Sequence, residues 1–239
     1  MIRRKIALFG ALSIGTVAFL PGTASASSTE APTPNQNASF VAAQKALETQ
    51  LTDRISTLES LSSRISSSST LTPADRANLG SIVGNASSGD LGAMNALLAN
   101  VESDTTSAEL AADRKVMIDT YRIYAVVRPQ VCITIAADKI SYITGLITAI
   151  EPNLDNLVLA NGNTSTDVTA YNQVLSNVSS ASSDVSGIDG QLKSLTPAAY
   201  NSNPTGTHSQ VQSMWQTIKN DFGLLGGARS DIKTISGVG

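Results

Sequence analysis

The sequence predicts an all-α protein, an antiparallel bundle of long amphipathic helices with a central helix pair kinked or broken at Pro129. Three observations carry this reading. Apolar residues recur every three or four positions over most of the chain, the period of a helix packed on one face. Ser, Thr and Asp stand where helix starts need side-chain acceptors. No Gly-type hairpin turn joins two alternating runs, as a β-ribbon would require.

Taken in order, residues 27–39 are polar, contain Pro32 and Pro34, and read as a disordered leader. Leu47, Leu51, Ile55, Leu58, Leu61 and Ile65 then fall on one helical face, which the serines at 66–69 bring to an end. Thr72 is placed to cap a short helix, with Pro73 at its first position and Asp75 near the positive end of its dipole. After Gly84 and Gly89, Asp90 opens a further short helix that holds Leu91, Met94, Leu97, Leu98 and Val101. Thr106 and Glu109 have the spacing of a capping box.

From about Leu110 to Ile150 the chain is mostly apolar. Pro129 has no amide to give and its ring crowds the carbonyl of Ala125, so a kink or break is expected there. The β-branched residues of 122–137 leave a strand reading open for that stretch. Asn153–Leu159 extends the helix, and Asn161-Gly162-Asn163 ends it. A following helix, starting at Thr166 or Asp167, places Val168, Tyr171, Leu175, Val178, Ser182 and Val185 on a seam of alternating threes and fours. That seam slips near Gly187 before Ile188, Leu192 and Leu195. A loop is expected over 196–206. Thr207 and Gln210 then cap a last helix that buries Val211, Trp215, Ile218, Phe222, Leu225, Ile232 and Ile235, with a kink invited at Gly226-Gly227.

Residues 1–26 have the form of a secretory signal peptide. Arg3, Arg4 and Lys5 precede an uncharged apolar run from Ile6 to Leu20, and Ala24-Ser25-Ala26 fits the small-x-small cleavage rule. The expected organisation is a signal peptide over 1–26 cleaved after Ala26, the leader over 27–39, and one helical-bundle domain over 40–239. The apolar run is short for a membrane span, so no transmembrane anchor is expected in the mature chain.

Removing Arg3, Arg4 and Lys5 with the signal leaves 13 basic residues against 19 acidic ones, a formal charge of −6. No long basic run is present, which argues against a nucleic-acid partner. Cys132 is the single cysteine and sits between Val131 and Ile133, the setting of an inert buried thiol. His208 is the single histidine, in a Gly/Thr loop, so Ser-His-Asp and Cys-His chemistry both hang on one poorly placed residue. Neither a metal site nor a cofactor motif can be assembled, no catalytic residue is identified, and the chain is read as a non-enzyme.

The densest chemical cluster is Asp119-Thr120-Tyr121-Arg122-Ile123-Tyr124, followed by Arg128 and Asp138. On a continuous helix Tyr121, Tyr124 and Arg128 share a face, Asp119 pairs with Arg122, and Arg128 stacks on Tyr124. Tyr121, Arg122, Tyr124, Arg128 and Asp138 are the candidate residues, either as a buried polar network that fixes helix register or as a site for an apolar ligand near the kink.

Three segments resemble a group of uncharacterised secreted all-helical bacterial proteins. They are Leu71-Thr72-Pro73-Ala74-Asp75-Arg76, the Tyr-Arg-Ile-Tyr…Pro…Ala-Ala-Asp stretch from Tyr121 to Asp138, and Ala228-Arg229-Ser230-Asp231-Ile232-Lys233-Thr234-Ile235. The Ser and Asn content and Gly226-Gly227 depart from that group's pattern. The resemblance implies an exported helical bundle from a bacterium and carries over no catalytic residue. The expected role is contact with a protein partner or with itself at the bacterial envelope or surface. The alternative is extracytoplasmic binding of an apolar or amphiphilic small ligand between helices.

Overall fold

The computed structural model describes residues 34–237, with side chains from Asn37 onward. The signal peptide and its cleavage after Ala26 lie outside the described residues. Among these, the chain is all helix: α1 (Pro34–Ser67), α2 (Pro73–Val83), α3 (Gly89–Ser103), α4 (Ser107–Asp119), a π-helical turn (Ile123–Val127), α5 (Arg128–Ala160), α6 (Ser165–Leu192), α7 (Pro197–Ser202) and α8 (Pro204–Ser236). Helix α1 starts at Pro34, so the last six residues assigned to the leader belong to its first turns.

Local chemistry sets the helix ends. Thr72 Oγ1 accepts from the amide of Asp75 at 3.1 Å, and Pro73 occupies the first turn where no amide partner is needed. Thr106 and Glu109 close the capping box, with the amide of Thr106 donating to Glu109 Oε2 at 2.9 Å. Three further starts differ from the sequence reading. Ser88, not Asp90, stands at the N-cap of α3. Thr164, not Thr166, caps α6, accepting from the amide of Asp167. Asn203, not Thr207, caps α8, which leaves Thr207 inside the helix and buried; the expected loop also holds α7.

The stretch 122–137 is helical throughout, and the interruption expected at Pro129 is spread upstream of it. Helix α4 stops at Asp119, Arg122 adopts a left-handed conformation (φ +45°), and the π-helical turn carries the chain into α5. Pro129 thus falls in the first turn of α5, directly after the π-helical turn. A second proline, Pro152, lies within α5 and leaves the Thr148 carbonyl without its helical donor.

Two apolar cores result. The first is built from α1 to α4: Leu51, Leu58, Leu79, Met94 and Met117 are its largest fully buried members, joined by Ile123, Val127 and Val131. The second lies among α5, α6 and α8, with Ile133, Ile140, Val174, Ala181, Ile188, Met214, Ile218 and Ala228. The early part of α5 faces both cores: Val131 joins the first, and Ile133 and Ala137 join the second. Helix α6 runs antiparallel to α5 and α8. The start of α8 meets the end of α6 where Gln210 Nε2 donates to the Gln191 carbonyl. The ends of α5 and α8 meet where Asn161 Nδ2 donates to the Ile235 carbonyl at 3.0 Å.

In α6 and α8 the buried seam is not the one read from the sequence. Helix α8 buries Thr207, Val211, Met214, Ile218, Asp221, Leu225 and Ala228, a strict alternation of fours and threes. Trp215 and Phe222, expected inside, are 40% and 37% exposed. In the first half of α6 the core takes Ala170, Val174, Asn177 and Ala181, one position off the expected row of Tyr171, Leu175, Val178 and Ser182. From Val185 onward the expected and observed rows coincide. The cause is the same in both helices: polar Asn177 and Asp221 and small alanines occupy core positions, so a row of larger apolar residues beside them gives the stronger periodic signal.

Candidate interaction surface

The candidate cluster is divided by the helix break. Arg122 Nη2 donates to Asp119 Oδ1 at 2.9 Å and Nε donates to Asn201 Oδ1 at 2.7 Å, while Asn201 Nδ2 donates to the Asp119 carbonyl. The guanidinium also lies 4.9 Å from the centre of the Tyr200 ring. The expected Asp119–Arg122 pair is therefore present, and it ties the end of α4 to α7, an element that sequence reasoning missed. Asp119 is held below the usual carboxylate range, first by the Lys115 hydrogen bond and then by the charges of Lys115 and Arg122.

The other members go elsewhere. Tyr124 is exposed and stacks under Arg54 of α1 at 5.0 Å, not under Arg128, which is itself exposed. Tyr121 is half-buried against the first core. Because the chain turns at Thr120–Arg122, Tyr121, Tyr124 and Arg128 do not lie on one continuous helix. Asp138 leaves the cluster altogether: its Oδ2 accepts from the amide of Thr72 at 2.8 Å and fixes the start of α2 against α5. Burial pushes the Asp138 carboxyl above its ordinary range, with Asp75 and Asp189 nearby adding to the effect.

Two of the three segments noted above thus meet in space, and the first has a further structural task. The Arg76 guanidinium donates to the carbonyls of Ile65, Ser66 and Ser68, satisfying the open end of α1. Cys132 is free and half-buried, with Arg64 Nη1 at 3.0 Å from its sulfur. His208 is exposed beside Gln212. Among the described residues no group of three His, Cys, Asp or Glu side chains is placed to hold a metal ion.

What the fold brings together instead is surface. Along the outer side of α5, Tyr142, Leu146, Ile150 and Leu157 are exposed, Tyr142 by 53% and Leu146 by 50%. At about 100° per residue they fall on one stripe, together with Lys139. On the neighbouring α8, Trp215, Lys219, Phe222 and Lys233 form a second stripe, and the Lys139 ammonium lies 5.8 Å from the centre of the Phe222 ring, joining the two. No acidic residue falls on either stripe; Asp221 and Asp231 of α8, and Glu151 and Asp155 of α5, point elsewhere on their helices.

A groove of about 840 Å³ runs between α5 and α6. Its floor is Ile147, Val174 and Val178, its walls are Ser141, Thr148, Ser179 and Ser182, and Glu151 lies at one end. Nearby, Tyr171 has its phenol pushed up by burial and by the charges of Glu151 and Asp155.

Between α6 and α8, Asp221 is 0% exposed and neither carboxylate oxygen has a hydrogen-bond partner. Burial, and then the Asp184 carboxylate across on α6, push its pKa up to about 6. No family model, curated protein or solved structure matches the chain.

Proposed function

We propose that this is an exported helical protein of the bacterial envelope or surface that performs no catalysis and acts by presenting helical faces to a protein partner or to a second copy of itself. The observation that carries the reading is the concentration of exposed apolar side chains on the acid-free α5/α8 face of an otherwise acidic protein. Scattered single apolar residues would need no explanation; two apolar stripes that meet at Lys139 and Phe222 do. Export is inferred from residues 1–26. The Tyr121–Asp138 cluster is read as structural, since Arg122 and Asp138 spend their polar groups, and Tyr124 its ring face, on neighbouring helices.

A photo-crosslinking residue at Leu146, compared with one at the exposed Gln216 on another side of α8, tests this in the producing culture. Polypeptide adducts from position 146 and none from 216 are expected. Equal labelling at both positions, or none at 146, would sink the proposal. A second reading is favoured by the α5/α6 groove, whose volume suits a drug-sized amphiphile. A melting temperature that rises with a single-chain amphiphile at sub-micellar concentration would support it, through linkage.

A further inference from the structure

We propose that the α5/α8 ridge of one copy docks into the α5/α6 groove of the next, so that the chain assembles head-to-tail. This rests on the reading that the ridge is a contact surface, and it names the partner: a second copy, engaged through a different face.

The groove is more than a dent between two helices. Tyr171, Leu175, Val178 and Ser182 repeat along α6 in steps of four, three and four, the spacing of a coiled-coil seam. The molecule uses that row only in part: Tyr171 and Val178 pack against the edge of the core, while Ala170, Val174, Asn177 and Ala181 form the buried row. Helix α6 therefore has a buried row and, beside it, a half-buried to exposed one of which Leu175, Val178 and Ser182 line the groove. Hydroxyl and glycine positions on the facing wall of α5, Ser141, Gly145 and Thr148, keep that wall low enough for a helix to approach closely.

Charge supports the pairing. The ridge carries Lys139 and Lys219 and no acid, while the groove ends in Glu151 and is lined by no base. Pro152 adds a backbone acceptor there, the Thr148 carbonyl. Ridge and groove occupy opposite sides of α5, since the row 142, 146, 150 lies about half a turn from the row 141, 144, 148. One copy cannot satisfy both its own surfaces, and a two-fold dimer through the ridge alone would set Lys139 and Lys219 against like charges. A contact between unlike faces repeats: each added copy exposes a fresh ridge at one end and a fresh groove at the other, so the assembly is open unless its rotation closes a ring.

The test uses the purified chain and two exposed positions. Leu146→Glu spoils the ridge, and Ser182→Trp fills the groove. Melting temperatures near that of the unaltered chain show that both variants fold, and sedimentation is then followed across a wide concentration range. The expected result is a mass that grows past dimer for the unaltered chain, loss of growth in each variant alone, and a 1:1 complex and nothing larger when the two variants are mixed. Continued dimerisation of Ser182→Trp would overturn the groove assignment while leaving the ridge as a contact surface. A chain that stays monomeric at every concentration would overturn the self-assembly. If that monomer also co-sediments with phosphatidylglycerol vesicles through Leu146, the ridge is a lipid-facing surface.

Discussion

The two halves of the molecule solve the same packing problem with different materials. The α1–α4 half packs the 34-residue α1 against three short helices, two of them capped by Thr72 and Thr106, around a core of Leu, Met, Val and Ile. The α5–α6–α8 half uses helices of 28 to 33 residues, admits alanines to its seam, and holds all seven of the buried polar side chains among the described residues, from Thr134 to Asp221. Its largest rings, Trp215 and Phe222, are left outside. The first half is built for stability. The second gives up stability along its seam, where polar groups specify register at an energetic cost, and places its spare apolar surface where another chain can reach it.

The largest expected effect separates the cores directly. Leu58→Ala, at a 0% exposed position of α1, is expected to cost about 2–5 kcal/mol, the range for a buried leucine that leaves a cavity. Asp221→Leu in the other core exchanges an unpartnered buried carboxylate for apolar volume and is expected to stabilise the protein at pH 7 by about 1–3 kcal/mol. Urea denaturation of both measures the difference. Equal destabilisation by the two substitutions would abolish the contrast between the cores.

The same carboxyl gives the contrast a pH signature. Its folded pKa, about 6, lies above the ordinary value near 3.8, so the folded state binds the proton more tightly than the unfolded chain. Stability is therefore fully retained below about pH 4 and declines as pH rises through about 6. The loss from this group is on the order of 2 kcal/mol. Asp90, at the start of α3, is also pushed up to about 6 by burial and contributes in the same window. Asp221→Asn is expected to remove Asp221's share of the slope between pH 4 and 7, leaving the part due to Asp90 and to Asp138 and Asp189, whose carboxyls burial also raises. An unchanged slope would mean that Asp221 is solvated.

Legibility in the sequence follows this division. In α1 every large apolar residue on the predicted face is buried or packed against the core, and the Thr72 and Thr106 caps were read correctly, because core and periodic pattern there are the same thing. In α6 and α8 the pattern pointed to Tyr171, Leu175, Trp215 and Phe222, which lie beside the seam, because Asn177, Ala181, Asp221 and Ala228 carry little apolar signal. A strict four-three count through Thr207, Val211, Met214, Ile218 and Asp221 would have found the seam, had polar residues been allowed in it. The α8 part of the interaction surface was illegible for the same reason: Trp215 and Phe222 carry the apolar signal expected of the interior. Arg122 was singled out correctly, but its partners Asn201 and Tyr200 lie some eighty residues away, in a segment without periodicity.

Arg122 belongs to neither core but straps α4 to α7. Arg122→Ala, which removes its hydrogen bonds and its stacking on Tyr200, is expected to cost about 1–3 kcal/mol. Its left-handed backbone (φ +45°) adds a sharper comparison. Arg122→Gly loses the same contacts but relieves the conformational strain, and should be more stable than Arg122→Ala by about 1 kcal/mol. If the alanine and glycine variants melt together, the left-handed turn carries no cost.

The smallest effects fall on the glycines of α6, and they differ in sign from the effect expected at the α2–α3 turn. Gly84 has φ +73°, and a β-carbon there would collide with the carbonyl of Ser88, so the α2–α3 turn needs glycine. Gly187 and Gly190 lie within α6 with open space where a β-carbon would go. Gly187→Ala and Gly190→Ala are each expected to raise stability by about 0.5–1 kcal/mol, the ordinary gain for filling a helical glycine, whereas Gly84→Ala is expected to lower it. If the α6 alanines instead destabilise, the late part of that helix is under a constraint beyond its own packing. The neighbouring groove row would then be the first place to look, since a stiffer α6 is tolerated by a finished bundle and resisted by a surface that must adjust to a second helix.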